Sequence, residues 1–455
     1  MTDQSGENMA YTVGLVNLGC PKNQVDAERM LAVLQAKGYE LKQDAGEADV
    51  AIVNTCGFID AAKEESIAAI LGLVRKKAAG RVRAIVVTGC LAERYREQVR
   101  RELPEVDAVA GIGANGNIAQ IVGQALSGEK TELFPEKTSL PLCGERRLLT
   151  PDYTAYLKIA EGCDNRCSYC AIPAIRGRYR SRPMDEITEE ARSLAEGGVK
   201  ELILVAQDTS RYGIDRSGRL MLPELLRRLC RIDGLEWIRF LYAYPDTITE
   251  ELLQTMASEE KIVKYLDLPL QHCSGRVLQA MRRAGNRASL TALIRKIRNT
   301  VPGVTLRTTL IAGFPGETEQ DFEELCEFVR EIRFERLGCF AYSQEEGTAA
   351  AELPGQLEEE EKRRRAELVM EIQMGIMQEQ SEALVGKTLR VLTEGFDRGE
   401  SLCYGRSAAD APDVDGRVWF SAARRPAPGE FIPVEITDCI DGDPAGRAVE
   451  KGESS

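Results

Sequence analysis

Three cysteines, Cys163, Cys167 and Cys170, stand in "EGCDNRCSYC" at Cys-x3-Cys-x2-Cys spacing, with no fourth cysteine close by. A structural zinc site closes its tetrahedron with four ligands, usually as two pairs. A ferredoxin run supplies a cysteine to every iron of its cluster. Three thiolates suit a four-iron, four-sulfur (4Fe-4S) cluster whose fourth iron stays open, and an open iron is a binding site. The fold must therefore present this loop at the mouth of a scaffold where a small molecule can enter.

Such a scaffold is legible around the loop. Six strand candidates, 155–160, 201–206, 237–242, 264–270, 304–311 and 337–342, are separated by stretches of mostly helical pattern, as repeated βα units require. Six units predict an incomplete (β/α)6 TIM-type barrel with its active site at the strand C-termini. The cysteine loop follows the first of these strands.

The N-terminal part also alternates strand and helix. "TVGLVNLGC", "VAIVNTCGF" and "AIVVTGCLA" are apolar runs ending in turns, with "VDAERMLAVLQAKG" a helical pattern between the first two. Asp26 is the expected N-cap of that helix and Gly38 its stop. A parallel α/β (flavodoxin-like) domain is expected. Cys20, Cys56 and Cys90 fall just after the three strands, 36 and 34 residues apart. Loops after parallel strands gather at one edge, where ligands bind, so the three cysteines are expected to converge as a second three-thiolate set. For any one of them, burial as a small apolar residue is the simpler reading.

The expected domains are 9–126, a linker over 127–148, the barrel over 149–385, and a small antiparallel β-barrel over 386–452. The region 356–385 reads as a long helix. Its "EEEEKRRRAE" run is expected to be a solvated, salt-bridged face, with Leu368, Ile372, Ile376, Met370, Met374 and Met377 packing. "KTLRVLTEG", "RVWFSA" and "FIPVEITDC" are the strand candidates of the tail.

Composition narrows the chemistry. The 455 residues include one histidine, His272, which removes Ser-His-Asp triads and histidine-rich zinc sites. The net charge of −13 argues against dependence on broad phosphate contact. Thirteen cysteines without a signal-like N-terminus suit ligands and core residues in a reducing, cytoplasmic compartment. No stretch approaches the length of a membrane span.

"EGCDNRCSYC", with Tyr169 before the third cysteine, resembles the signature of the radical S-adenosylmethionine enzymes. Together with "LGCPKN", "NTCGF", "TGCL" and a small β tail, the chain is similar to the methylthiotransferases of that superfamily, whose tail is a TRAM domain. "AQDTSRYG", "LDLPLQH", "RTTLIAGFPGET" and "YSQEEGT" resemble the RimO branch, which methylthiolates the β-carbon of an aspartate in small-subunit ribosomal protein S-twelve.

The resemblance implies two 4Fe-4S clusters and S-adenosylmethionine (SAM). Cys163, Cys167 and Cys170 would hold the radical-generating cluster, and Cys20, Cys56 and Cys90 an auxiliary cluster carrying the sulfur to be inserted. One SAM would methylate that sulfur. A second would yield the radical that takes a hydrogen from the aspartate. Tyr169, Gln207, Asp208, Gln271, Arg307 and Gly313 are candidates to contact SAM. Implied partners are the ribosomal protein or the subunit carrying it, an electron donor and a sulfur source, with no membrane and a monomeric enzyme. The sister branch, which modifies tRNA adenosine, typically has Gln-Met-Asn after its first cysteine, where this chain has Pro21-Lys22-Asn23. Readings from other classes are a two-cluster electron carrier and a zinc-stapled scaffold. Arg176, Arg178, Arg180 and Arg182 in "RGRYRSR" are expected in a solvated loop, with contact to carboxylate or phosphate as the alternative. Cys143, Cys230, Cys326, Cys339, Cys403 and Cys439 are expected to pack.

Overall fold

A computed structural model describes residues 11–449; the outer limits expected at 9 and 452 lie outside them. The chain divides into two compact units. One comprises residues up to Leu149 with Ala160–Asn165 and Cys170–Arg182, and the other holds Thr150–Ile159, Arg166–Tyr169 and the chain from Pro183.

In the first unit, strands β1 (Thr12–Asn17), β2 (Glu40–Lys42), β3 (Val50–Thr55), β4 (Ala84–Gly89), β5 (Ala108–Ala110) and β6 (Thr131–Leu133) form one parallel sheet in the order β2-β1-β3-β4-β5-β6. Strands β3 and β4 are buried along their whole length, which is why they read as unbroken apolar runs. Their side chains alternate between two cores. Val50, Ile52, Ala84 and Val86 join one, and Ala51, Val53, Ile85 and Val87 the other. Strand β6 lies inside the stretch read as a linker.

Helices α1 (Pro21–Ala36), α2 (Asp60–Ala78), α3 (Cys90–Arg94), α4 (Arg96–Glu102) and α5 (Ile118–Leu126) follow strands of this sheet. Asp26 is not the N-cap of α1. Cys20 holds that position, because Pro21 opens the helix six residues earlier than the apolar pattern suggests. Gly38, at φ +87°, does end it.

The second unit contains all six barrel strands: β7 (Thr154–Lys158), β10 (Glu201–Val205), β11 (Trp237–Phe240), β12 (Tyr265–Asp267), β13 (Thr305–Ala312) and β14 (Arg336–Ala341). The short pair β8 (Ala160–Glu161) and β9 (Arg180–Ser181) belongs to the first unit. Every ladder in the barrel is parallel, in two runs, β7-β10-β11 and β12-β13-β14, linked by the bridge from Ile238 to Ile262.

The helix Glu359–Glu382 buries Lys362, Arg365, Ala366, Val369, Gln373 and Ile376 against the barrel side. The expected stripe is therefore displaced, and Met374 is 60% exposed. Arg365 is not on a solvated face, because Glu317 in the barrel accepts its hydrogen bond at 2.8 Å.

The tail is a closed five-stranded barrel of β15 (Thr388–Asp397), β16 (Leu402–Arg406), β17 (Val418–Ser421), β18 (Phe431–Ile440) and β19 (Asp443–Ala448). Its pairings are antiparallel except β17 with β19, which run parallel. It is fastened to strands of the (β/α) barrel by buried charge. Arg406 donates to Glu201 at 2.6 Å, Arg239 to the Ala408 carbonyl at 3.1 Å, and Tyr265 to Asp415 at 2.6 Å. Among the described residues, no helix is long and apolar enough to cross a membrane.

Candidate active site: two sets of three cysteines

The register of the first sheet sets three strand ends level. Asn17 pairs with Asn54, and Thr55 with Gly89. The turns that follow carry Cys20, Cys56 and Cys90 to one carboxyl edge. Each cysteine has a glycine neighbour, and the missing side chains are where the turns touch. A Cβ on Gly19 would lie 2.9 Å from Cβ of Cys56, and one on Gly57 would lie 2.7 Å from the backbone of Leu91. A Cβ on Gly89 would meet the Thr55 backbone at 2.5 Å.

Hydrogen bonds fix the same edge. The Asn23 amide donates to the Leu18 carbonyl at 2.7 Å, and Asn54 donates to Asn17 Oδ1 and to the Asn23 carbonyl at 2.8 and 2.9 Å. Ser66 Oγ takes a hydrogen bond from the Cys56 backbone N–H at 3.0 Å. Cys20 caps the 16-residue helix α1, whose positive end favours an anion. Burial opposes ionisation of Cys20, but Lys22 and Arg176 outweigh it and hold the thiol below its ordinary value. Burial and the nearby Cys90 push Cys56 up to about 11. Among the described residues, no three His, Cys, Asp or Glu side chains close on a single metal ion. Three thiols brought to one sheet edge suit a cluster in which each of three irons takes one thiolate, and iron binding would displace the remaining thiol protons.

The second set lies in the loop after β7. Within the first unit, β8 and β9 pair, and the N–H of Cys163 donates to the Gly177 carbonyl at 3.1 Å. The helix α6 (Ile172–Arg176) follows Cys170 and packs on the first set, with Cys90, Ala171 and Ile175 in one buried cluster. Arg176 is buried, and its guanidinium bonds Asp26 at 2.7 Å, Glu161 at 3.2 Å, Asn23 at 3.1 Å and Cys90 Sγ at 3.4 Å. Arg182 is buried as well. The expectation of a solvated loop fails for both, because carboxylates distant in sequence are there to receive Arg176. Arg178 is exposed beside Asp164, and Arg180 donates to the carbonyls of Lys137 and Thr138.

In the second unit, the loop is tied down by Ser168. Its N–H donates to Met281 and its hydroxyl to Ala280, while its carbonyl accepts from Ala350. Arg283 donates to Cys167 Sγ at 3.9 Å and lies 4.2 Å above the Tyr244 ring. Burial opposes the Arg283 charge, but Tyr169, Tyr244 and Cys167 outweigh it and hold the guanidinium above its ordinary value.

The candidate SAM contacts separate into two groups. Gln207 and Asp208 follow β10, Gln271 follows β12 and Gly313 follows β13, all at carboxyl ends. Both Asp208 oxygens accept hydrogen bonds, from Ser210 and from Arg211. Gln271, at φ +73°, is held by backbone bonds to Thr309 and Ile311. Arg307 lies in the first half of β13, in register with Asp267, which accepts its bond at 2.9 Å. It also faces Asp415 of the tail at 3.6 Å. The structure does not bring it to the mouth.

Glu317, just after Gly313, was not singled out from the sequence. It accepts from the backbones of Gly313 and Phe314 and from Arg365, with His272 Nε2 at 3.3 Å. The His272 Nδ1 accepts from the Ser274 N–H at 2.9 Å. Burial alone would raise the Glu317 carboxyl, but these donors hold it below its ordinary value. Cys143, expected to pack, is exposed.

Comparison with known proteins bears on all of this. Residues 12–111 match the uncharacterized protein family UPF0004, 157–329 the radical SAM superfamily and 385–449 the TRAM domain. The ribosomal protein uS12 methylthiotransferase RimO of Pelotomaculum thermopropionicum is 51% identical over 97% of this chain and 100% of its own. That of Lachnoclostridium phytofermentans is 48% identical over 95% and 99%. This chain belongs to the RimO methylthiotransferase family. Among solved structures, the radical SAM methyltransferase TsrM from Kitasatospora setae, with cobalamin and a 4Fe-4S cluster bound, aligns at a TM-score of 0.54. It is 14% identical and covers 74% of this chain and 77% of that one, a likeness of fold.

Proposed function

We propose that this RimO-family enzyme inserts a methylthio group at the β-carbon of an aspartate in ribosomal protein uS12, using two 4Fe-4S clusters and SAM. The observation that carries the reading is the convergence of Cys20, Cys56 and Cys90 on one sheet edge, with Cys90 packed on Ala171 beside Cys170. Two three-thiolate sets suit a reaction in which sulfur held at one is delivered where a radical is made at the other.

Cys163, Cys167 and Cys170 hold the cluster that binds SAM, and Cys20, Cys56 and Cys90 hold the auxiliary one. When bound, these groups supply a 5′-deoxyadenosyl radical, strong enough to take hydrogen from an unactivated carbon, and a sulfur that can be methylated. The protein's own part is to position and to exclude water. Ser168 fixes the loop between the second and third cysteines. Glu317 shapes the turn at Gly313, which with Gln207 and Gln271 lies at the mouth that would receive SAM, and Tyr169 lies beside Cys170. Asp208 holds Ser210 and Arg211 in place, and Arg307 fastens the tail through Asp415. An electron donor and a sulfur source complete the reaction, and the enzyme works as a cytoplasmic monomer.

The test is anaerobic reconstitution of the full chain, with iron and sulfide counted. About eight irons in the wild type should fall to about four in either the Cys163/Cys167/Cys170→Ala or the Cys20/Cys56/Cys90→Ala variant. Four in the wild type would remove the auxiliary site.

A further inference from the structure

Arg176 is 1% exposed. Burying a guanidinium costs several kcal/mol unless it is paired and fully hydrogen-bonded, as an order of magnitude. Asp26 and Glu161, themselves buried, already compensate its charge. The further bond from Nη2 to Cys90 Sγ is not required for that compensation. A neutral thiol is a weak acceptor, so a buried N–H directed at this sulfur has its full value only when the sulfur is a thiolate on iron. Arg176 also ends the helix that begins two residues after Cys170. The loop of one cysteine set thus carries the cation that touches a ligand of the other.

We propose that Arg176 is a positioning residue that sets the reduction potential of the auxiliary cluster through Cys90, with Asp26 and Glu161 moderating its charge. This rests on the assignment of Cys20, Cys56 and Cys90 as the ligands. Reduction adds one negative charge to a cluster. A fixed positive charge and an N–H···S bond in a low-dielectric site favour the reduced form and raise the potential, whereas a nearby carboxylate lowers it. The three residues therefore make predictions of opposite sign, which a merely structural salt bridge would not. Its loss in any of the three variants would only reduce cluster occupancy.

The measurement uses the full chain in the Cys163/Cys167/Cys170→Ala background, so that only the auxiliary cluster is present. It is reconstituted with ferrous iron and sulfide, and iron and sulfide are counted. The midpoint is read by electron paramagnetic resonance during reductive titration. At equal iron content, Arg176→Met is expected to shift the midpoint to more negative potential, and Asp26→Asn and Glu161→Gln to more positive potential. Arg176→Lys, which keeps the charge and loses the fork, should shift it less than Met. Coincident midpoints at full iron content would overturn the proposal. If Arg176→Met retains no cluster, the two carboxylate variants decide: positive shifts support the proposal, and unshifted midpoints overturn it. A parent background without iron would show instead that the ligand assignment has failed, and the proposal with it.

Discussion

The close approach of the cysteine turns makes Gly57 an informative position to perturb. It requires no left-handed backbone, since it is absent from the glycines at positive φ, so Gly57→Ala adds a methyl group and nothing else. That methyl would sit 2.7 Å from Cα and N of Leu91, where ordinary contact begins at 3.4 Å. The turn carrying Cys56 must then move from that carrying Cys90 by about 0.7 Å, because both atoms belong to the backbone and not to a flexible side chain. Overpacking of this kind costs about 1–3 kcal/mol, at about 2–4 °C of Tm per kcal/mol for a unit of this size. The fold should survive while the thiolate spacing does not. Iron counting after anaerobic reconstitution should find about four irons in place of about eight, with SAM cleavage retained. Gly72→Ala is the control: it lies within α2, and a Cβ there meets only the Arg75 guanidinium, at 3.9 Å. It should stabilise by about 0.5–1 kcal/mol and leave the iron count unchanged. Full iron in Gly57→Ala, with an unaltered cluster spectrum, would refute the argument that glycine contacts set the triangle.

Two further outcomes follow from the second unit. Glu201→Ala leaves the buried guanidinium groups of Arg239 and Arg406 without their carboxylate, a loss of about 3–5 kcal/mol that urea unfolding would measure, with the iron count unaffected. Burial favours the neutral Glu201, but Arg406 and Arg239 outweigh it and hold its carboxyl below the ordinary 4.5; its stabilisation is therefore complete above that value and is lost as pH falls through the folded-state value, so the urea midpoint should fall with acidification below about pH 5 and do so less steeply in Glu201→Gln. Glu317→Ala strands the N–H groups of Gly313 and Phe314, at about 1–3 kcal/mol, and should weaken SAM binding to the loaded enzyme by about tenfold or more, read by calorimetry; unchanged affinity would separate this turn from the SAM site.

Elements whose causes are local were legible in the sequence. Buried parallel strands such as "VAIVNT" and "AIVVTG" are continuous apolar runs, and the place of a cysteine after each follows from counting. The strands "LCYGR" and "DPAGRA" escaped notice, since glycine and proline break the alternation that marks a strand. The residues around the cysteines were hidden for another reason. Arg176 stands in a run of spaced arginines that looks solvated, and its partner Asp26 is 150 residues away. Arg365 stands in an equally charged run, 48 residues from Glu317. Local patterning reports the cost of burying such a charge, whereas the compensating partner is supplied by tertiary structure. Asn23 and Ser168 lay within the quoted motifs, but their roles are hydrogen bonds to backbone that no residue pattern displays.

The central claim is that two three-thiolate sites act together on one substrate. Its most direct measurement is mass spectrometry of ribosomal protein uS12, alone and within the small subunit, after incubation with the reconstituted chain, SAM, sulfide and a low-potential reductant. A single aspartate should gain the mass of a methylthio group less one hydrogen. The Cys20/Cys56/Cys90→Ala variant should cleave SAM and transfer nothing. Unmodified uS12 in both forms, from a preparation with full iron that cleaves SAM, would contradict the account.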